Sequence, residues 1–187
     1  MPLVGNVVCN GNSITEGGGL TPVQNYPAVL GAALGHDWQV FNCGHALWTT
    51  PQLLANFSEV QSHFTKSVTN TLIVNEVSND IAGGTNEETA KQNMRNLISV
   101  GRTNGWRVLF ATTTPRTVPA SFSAAQQQAS ENINNFFRNN PLESDGIIDW
   151  AANPNLSDPS NATYYQDGVH PTAAGAAVMA QLAQSAL

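Results

Sequence analysis

Short apolar runs rich in β-branched residues alternate along this chain with longer stretches whose apolar positions recur every three or four residues. Residues 3–9 form the first such run, which stops at Asn10-Gly11. Residues 38–42 read as a second strand, 71–77 as a continuous and therefore buried third, 107–112 as a fourth and 146–150 as a short fifth. Helix signals fill the intervals. Asn25 caps a helix that carries Pro27 in its first turn and stops at Gly35. Thr50-Pro51 opens another, with Thr as N-cap and Pro in the first position. Residues 86–104 predict a polar helix with Met94, Leu97, Ile98 and Val100 on its apolar side. Ser123 and Gln126 form a capping box for a helix to about Asn139. An Ala-rich helix follows Thr172, with Val178, Met179 and Leu182 facing inward.

Five strands separated by helices predict a parallel sheet covered on both faces, a three-layer α/β/α sandwich built through right-handed crossovers. No internal repeat or linker interrupts the pattern, so residues 1–187 are expected to form a single domain. The least regular stretch is 151–166, and a loop that long within a compact domain usually serves function.

Composition narrows the function classes. Seven basic residues against thirteen acidic ones give a formal charge of −6, and the basic ones are scattered. No run of them could follow a phosphate backbone or an anionic membrane surface, so neither nucleic acid nor such a membrane is expected as a partner. No apolar stretch is long enough to span a bilayer. Residues 1–8 lack the basic leader and apolar region of a signal peptide; a secreted chain whose leader has been removed would read the same, so the compartment stays open. Two cysteines, Cys9 and Cys43, are too few for a disulfide framework or a zinc site and read as buried thiols at strand ends. No Cys/His/Asp cluster has metal-ligand spacing, and no cofactor is expected.

In open α/β sheets ligands bind beyond the carboxyl ends of the strands, which selects the polar residues just after each one. After the first strand comes Gly11-Asn12-Ser13, after the second Gly44-His45, after the third Ser78-Asn79-Asp80. A serine hydroxyl becomes a nucleophile when a base takes its proton and a third group orients that base. Ser13 alone reads as a helix cap. The sharper signal is Asp167-Gly168-Val169-His170-Pro171, where an Asp three residues before a His can reach the ring nitrogen facing away from the nucleophile. Charge developing on a carbonyl oxygen needs donors, and the amides of Ser13 and Gly44 with the carboxamide of Asn79 could supply them from three strand ends. Taken alone, Asn79 is a turn residue.

These residues together resemble the SGNH hydrolases, also called the GDSL esterase/lipase family, over nearly the whole chain. The four signature positions match Ser13, Gly44, Asn79 and His170, with Asp167 as the third triad member. The resemblance implies a flavodoxin-like sheet ordered 2-1-3-4-5 and metal-free hydrolysis of acyl esters through an acyl-enzyme on Ser13. Three positions depart from the family pattern. Asn12 replaces the usual Asp, Val77 replaces a Gly two residues before Asn79, and Leu47 replaces a second Gly three residues after Gly44.

Asn12, His45, Trp48 and Val77 are further candidates for contact with substrate. Glu16 and Glu76 could support the site from behind but are read as structural, at a helix start and a core edge; Asp80 is read as a turn cap, and His36 and His63 as peripheral. The function expected is a serine carboxylic ester hydrolase for short-chain acyl esters, with carbohydrate O-acetyl esters one substrate class. A thioesterase or lysophospholipase of the same family is the near alternative, and a non-catalytic glycan-binding module on this fold the distant one.

Overall fold

A computed structural model of the protein describes residues 2–117 and 122–187. The chain runs β1 (Gly5–Gly11), α1 (Ser13–Glu16), α2 (Tyr26–Leu34), β2 (Trp38–Gly44), α3 (Thr50–Ala55), α4 (Phe57–Ser62) and β3 (Thr69–Asn75). It continues through α5 (Ser78–Ala82), α6 (Glu87–Thr103), β4 (Arg107–Ala111), α7 (Ala124–Asn139), β5 (Gly146–Ile148) and α8 (Ala173–Ala186). The five strands pair in parallel in the order β2-β1-β3-β4-β5, the three-layer α/β/α arrangement expected from the sequence.

Strand side chains alternate between two cores, as the two-residue period requires. Val8, Leu72, Val74, Val108 and Phe110 point to one face, where Leu53, Val60, Met94, Leu97, Ile133 and Phe137 cover them. Val7, Cys9, Ile73, Leu109, Ala111 and Ile148 point to the other, against Tyr26 and Leu30 of α2 and Met179 and Ala180 of α8. All of these side chains are buried, which is why the central strands read as continuous apolar runs. Cys9 and Cys43 are both free and buried, one in each core.

Several boundaries differ from those expected. β1 lies two residues later than its apolar run because Asn10 and Gly11, though polar and small, are held in the ladder between Cys43-Gly44 and Val74-Asn75. β3 ends at Asn75, so Val77 lies outside it, and β5 ends at Ile148. Thr49, not Thr50, is the N-cap of α3; its amide donates to Gln52 Oε1 at 2.9 Å. The capping box of Ser123 and Gln126 and the cap Asn25 stand where the sequence puts them, the last helix follows Thr172 as expected, and Asn86 proves to be the cap of α6. Residues 151–166 form a chain of turns held by Asn153, Asp158 and Asn161, each accepting from an amide two residues on. Two helices that periodicity misses, α1 and α5, begin just after a strand and carry Ser13 and Asn79, and the helix expected from Thr50-Pro51 is divided at Asn56 into α3 and α4.

Candidate active site

β1 ends at Gly11 in the middle of the sheet, and the chain turns at once into α1. Asn12 caps that helix, its Oδ1 accepting from the Ile14 amide at 2.9 Å. Ser13 is therefore the first residue of a helix beginning at the carboxyl edge of the sheet. Its amide lies in the first turn, where no helical carbonyl is available to it.

The partner comes from the far end of the chain. His170 Nε2 lies 2.9 Å from Ser13 Oγ, and His170 Nδ1 lies 2.8 Å from Asp167 Oδ2. Asp167 Oδ1 also accepts from the amides of Val169 at 2.9 Å and His170 at 2.8 Å. Burial raises the Asp167 carboxyl, but these hydrogen bonds from His170 and Val169 more than offset it, leaving the group below the usual carboxylate range. An ionised Asp167 holds the proton of His170 on Nδ1, so Nε2 is the acceptor facing Ser13. The turn that brings the two together needs Gly168, which has φ 78°. A Cβ at that position would also lie 1.7 Å from Thr117 Oγ1.

Asn79 stands in the first turn of α5, and its Nδ2 donates to the Trp48 carbonyl at 2.9 Å. That bond orients the carboxamide and leaves its second N–H for another acceptor. Asn12, Ser13, Asn79 and His170 line one cleft of about 100 Å³. Larger hollows of about 350 and 380 Å³ lie elsewhere and contain none of Ser13, Asp167 and His170.

Gly44 is not in this cleft. Its amide donates to Asn42 Oδ1 at 2.9 Å, and a Cβ there would lie 2.1 Å from the Glu16 amide nitrogen. This glycine lets α1 pack against the end of β2. The residue that the β2–α3 loop sends into the cleft is Leu47. It has φ 65° and sits third in a turn closed by the Trp48 amide on the His45 carbonyl at 3.2 Å. A positive φ at that position alone is the type II pattern, which favours glycine. The Leu47 amide makes no hydrogen bond among the described residues, and the side chain is 83% exposed. Leu47→Gly should therefore raise stability by roughly 0.5–1 kcal/mol, the left-handed penalty exceeding the entropy of glycine. Chemical denaturation would measure it; an unchanged or lower midpoint would mean that the leucine side chain packs on something.

Of the other residues singled out by sequence, none of His45, Trp48 and Val77 lines the cleft. His45 pairs with Glu59 at 2.6 Å and stacks on Trp48, with ring centroids 4.0 Å apart. Trp48 reaches the site through its carbonyl alone, and Val77 is fully buried in the core. Asn12 does border the cleft, but its side chain is buried and its Nδ2 donates to Glu76.

Glu76, read as structural, lies directly under the site. Its Oε1 accepts from the amides of Asn79 at 2.6 Å and Asp80 at 3.3 Å. Burial pushes its carboxyl up to about 8, against the lowering effect of Asn12 and with a further push from Asp80. Arg116 is the residue that sequence reasoning missed. It follows β4, lines the cleft, and donates from Nη1 to Ser78 Oγ at 2.9 Å. The rule about strand ends, applied to β4, selects Thr112-Thr113-Thr114, and Arg116 lies two residues beyond them.

A serine, an imidazole and a carboxylate in one hydrogen-bonded line, with unengaged donors beside the serine, can transfer an acyl group. No helix among the described residues is long and apolar enough to cross a membrane.

Comparison with known proteins agrees with the fold. A member of the lipolytic protein G-D-S-L family from Veillonella parvula superposes with TM-score 0.84 at 17% identity, covering 97% of each chain. A carbohydrate acetylesterase family member from Sinorhizobium meliloti gives TM-score 0.75 at 20% identity, over 97% of this chain and 96% of that one. AlinE4, an SGNH-hydrolase family esterase, gives 0.69 at 21% identity, over 99% and 95%. No curated protein matches the chain's sequence. The model of the GDSL-like lipase/acylhydrolase family matches residues 9–178, and the chain belongs to that family.

Proposed function

We propose that the protein is a serine ester hydrolase for short acyl groups. The observation that carries this reading is the unbroken line from Ser13 Oγ through His170 to Asp167, at 2.9 and 2.8 Å. Ser13 Oγ attacks the ester carbonyl as its proton passes to His170 Nε2, and Asp167 stabilises the imidazolium. The carbonyl oxygen takes up the negative charge facing the Ser13 amide, the second N–H of Asn79 and the Leu47 amide, which takes the part first assigned to Gly44. Collapse of the intermediate returns the proton from His170 to the leaving alcohol and leaves the acyl group on Ser13. Water, activated by His170 in the same way, then releases the acid.

Cleft size supports a short acyl group. A volume of about 100 Å³ holds roughly three waters' worth of liquid, well under the ~300 Å³ at which ligand pockets begin. The exposed Leu47 side chain offers an apolar rim. The Sinorhizobium meliloti neighbour puts acetylated sugars first among natural substrates to assay. Comparing p-nitrophenyl acetate with the octanoate tests the reading: kcat/KM should favour acetate by at least ~10-fold. Faster octanoate turnover would favour the thioesterase or lysophospholipase alternative. No turnover of either, with sugar binding that survives Ser13→Ala, would favour a binding module.

A further inference from the structure

Most cations of this acidic chain are already satisfied. Arg95 pairs with Glu143, Arg102 with Asp145, and Arg138 with Glu131 and Asp149, while Arg107 holds the carbonyls of Ala186 and Leu187. Arg116 differs. It has no carboxylate at ion-pair distance among the described residues, and Met1 and residues 118–121 carry no acidic side chain. Yet it is partly buried, in the same cleft as Ser13, Asn79 and His170.

Its guanidinium is held in place on two sides. Nη1 donates to Ser78 Oγ at 2.9 Å, and the guanidinium carbon lies 4.5 Å from the centre of the Phe122 ring. Among the described residues the buried Nε has no partner and Nη2 makes no hydrogen bond. A guanidinium remains charged in any such setting, and with Nε closed off from solvent the open N–H groups of Nη2 are where a ligand oxygen can complete the bonding. Asp167 and Glu76 are near enough to favour its charge but not to pair with it, and an arginine so fixed and partly desolvated suits an anionic oxygen of a ligand. A net charge of −6 gives the protein no long-range pull on anions, so any preference for them must be made locally.

We propose that Arg116 binds an anionic group on the substrate, so that the preferred ester carries a carboxylate or similar oxyanion on its acyl or alcohol half. This rests on the serine-esterase reading and names the substrate class for that site.

Two matched pairs of esters test it. Mono-4-nitrophenyl succinate against 4-nitrophenyl butyrate places the anion on the acyl half. 4-Acetoxybenzoate against its methyl ester places it on the alcohol half. For one pair, the ratio of kcat/KM values (anionic over neutral) should fall at least tenfold in Arg116→Gln, mainly through KM. Arg116→Lys, which keeps the charge but not the fork, should lose only part of it. Taking the ratio cancels any general loss of activity in the variants. Ratios that stay within twofold of wild type in both pairs would overturn the proposal.

Binding gives a second readout that needs no turnover. Titrated by NMR, 4-acetoxybenzoate or the succinate half-ester should bind Ser13→Ala at least tenfold more tightly than Ser13→Ala/Arg116→Gln. Equal affinities for both compounds would overturn the proposal, as would wild-type protein that neither hydrolyses nor binds either anion better than its neutral partner. Failure of the neutral esters to turn over would instead count against the esterase reading, and the binding comparison would still decide the role of Arg116.

Discussion

Ser13→Ala should lower turnover of p-nitrophenyl acetate by at least ~10⁴-fold while leaving the fold intact, because the variant has no atom to carry the acyl group. The change removes one half-buried hydroxyl whose only described side-chain bond is to His170, so the melting temperature should move by no more than a few degrees. His170→Ala should cost about as much, and the double variant little more, since nucleophile and base act as a unit. Asp167→Ala should cost less, because the donors beside Ser13 do not depend on it. Chelator should leave the wild-type rate unchanged. A Ser13→Ala protein that retains a tenth of the rate would remove the acyl-enzyme from the mechanism.

Asn12→Asp should be the most destabilising single change beneath the site, although it restores the residue usual in the family. Asn12 Nδ2 donates to Glu76, and Asp offers an acceptor where Glu76 already presents one. Two buried carboxyl groups in contact must share a proton or repel. Glu76 in the wild type already titrates well above its ordinary 4.5, at about 8. The unfolded chain loses this proton near 4.5 and the folded protein near 8, so across that window the folded state binds more protons. Stability from this group is therefore full below pH 4.5, falls as pH rises to 8, and is level above it.

A second carboxyl at position 12 should deepen that fall, costing on the order of 3 kcal/mol at pH 8 and much less at pH 5. Glu76→Gln alone sets donor against donor. The double change Asn12→Asp/Glu76→Gln restores a donor–acceptor pair, with coupling of about 1–3 kcal/mol. Urea midpoints of the four proteins at pH 5 and pH 8 measure it. Additive losses would mean that the two side chains do not interact.

The legible parts of this protein are those fixed by local rules. Asp167 and His170 lie three residues apart on a turn that needs Gly168, and so could be paired from spacing alone. Buried strands show as apolar runs, and long helices show by period and cap. Gly44 shows the limit of such reasoning. A glycine marks a close approach of the backbone, but the sequence does not say to what; here it is the backbone of Thr15 and Glu16, not a substrate. Leu47 escaped for the opposite reason: a left-handed residue with a large side chain carries no signal in composition. α1 and α5 are too short to show a period. Arg116 needed the fold itself, since only the parallel order brings the end of β4 beside Ser78 and Asn79.

The hydrogen bond between Ser13 and His170 joins residues 157 positions apart. At about 5–20 residues per second, the ribosome would deliver the base roughly 8–30 s after the nucleophile. Until then Ser13 is an ordinary alcohol, so the growing chain cannot acylate itself or its surroundings, and the reaction becomes available only once residues 167–170 have been made and have folded onto Ser13.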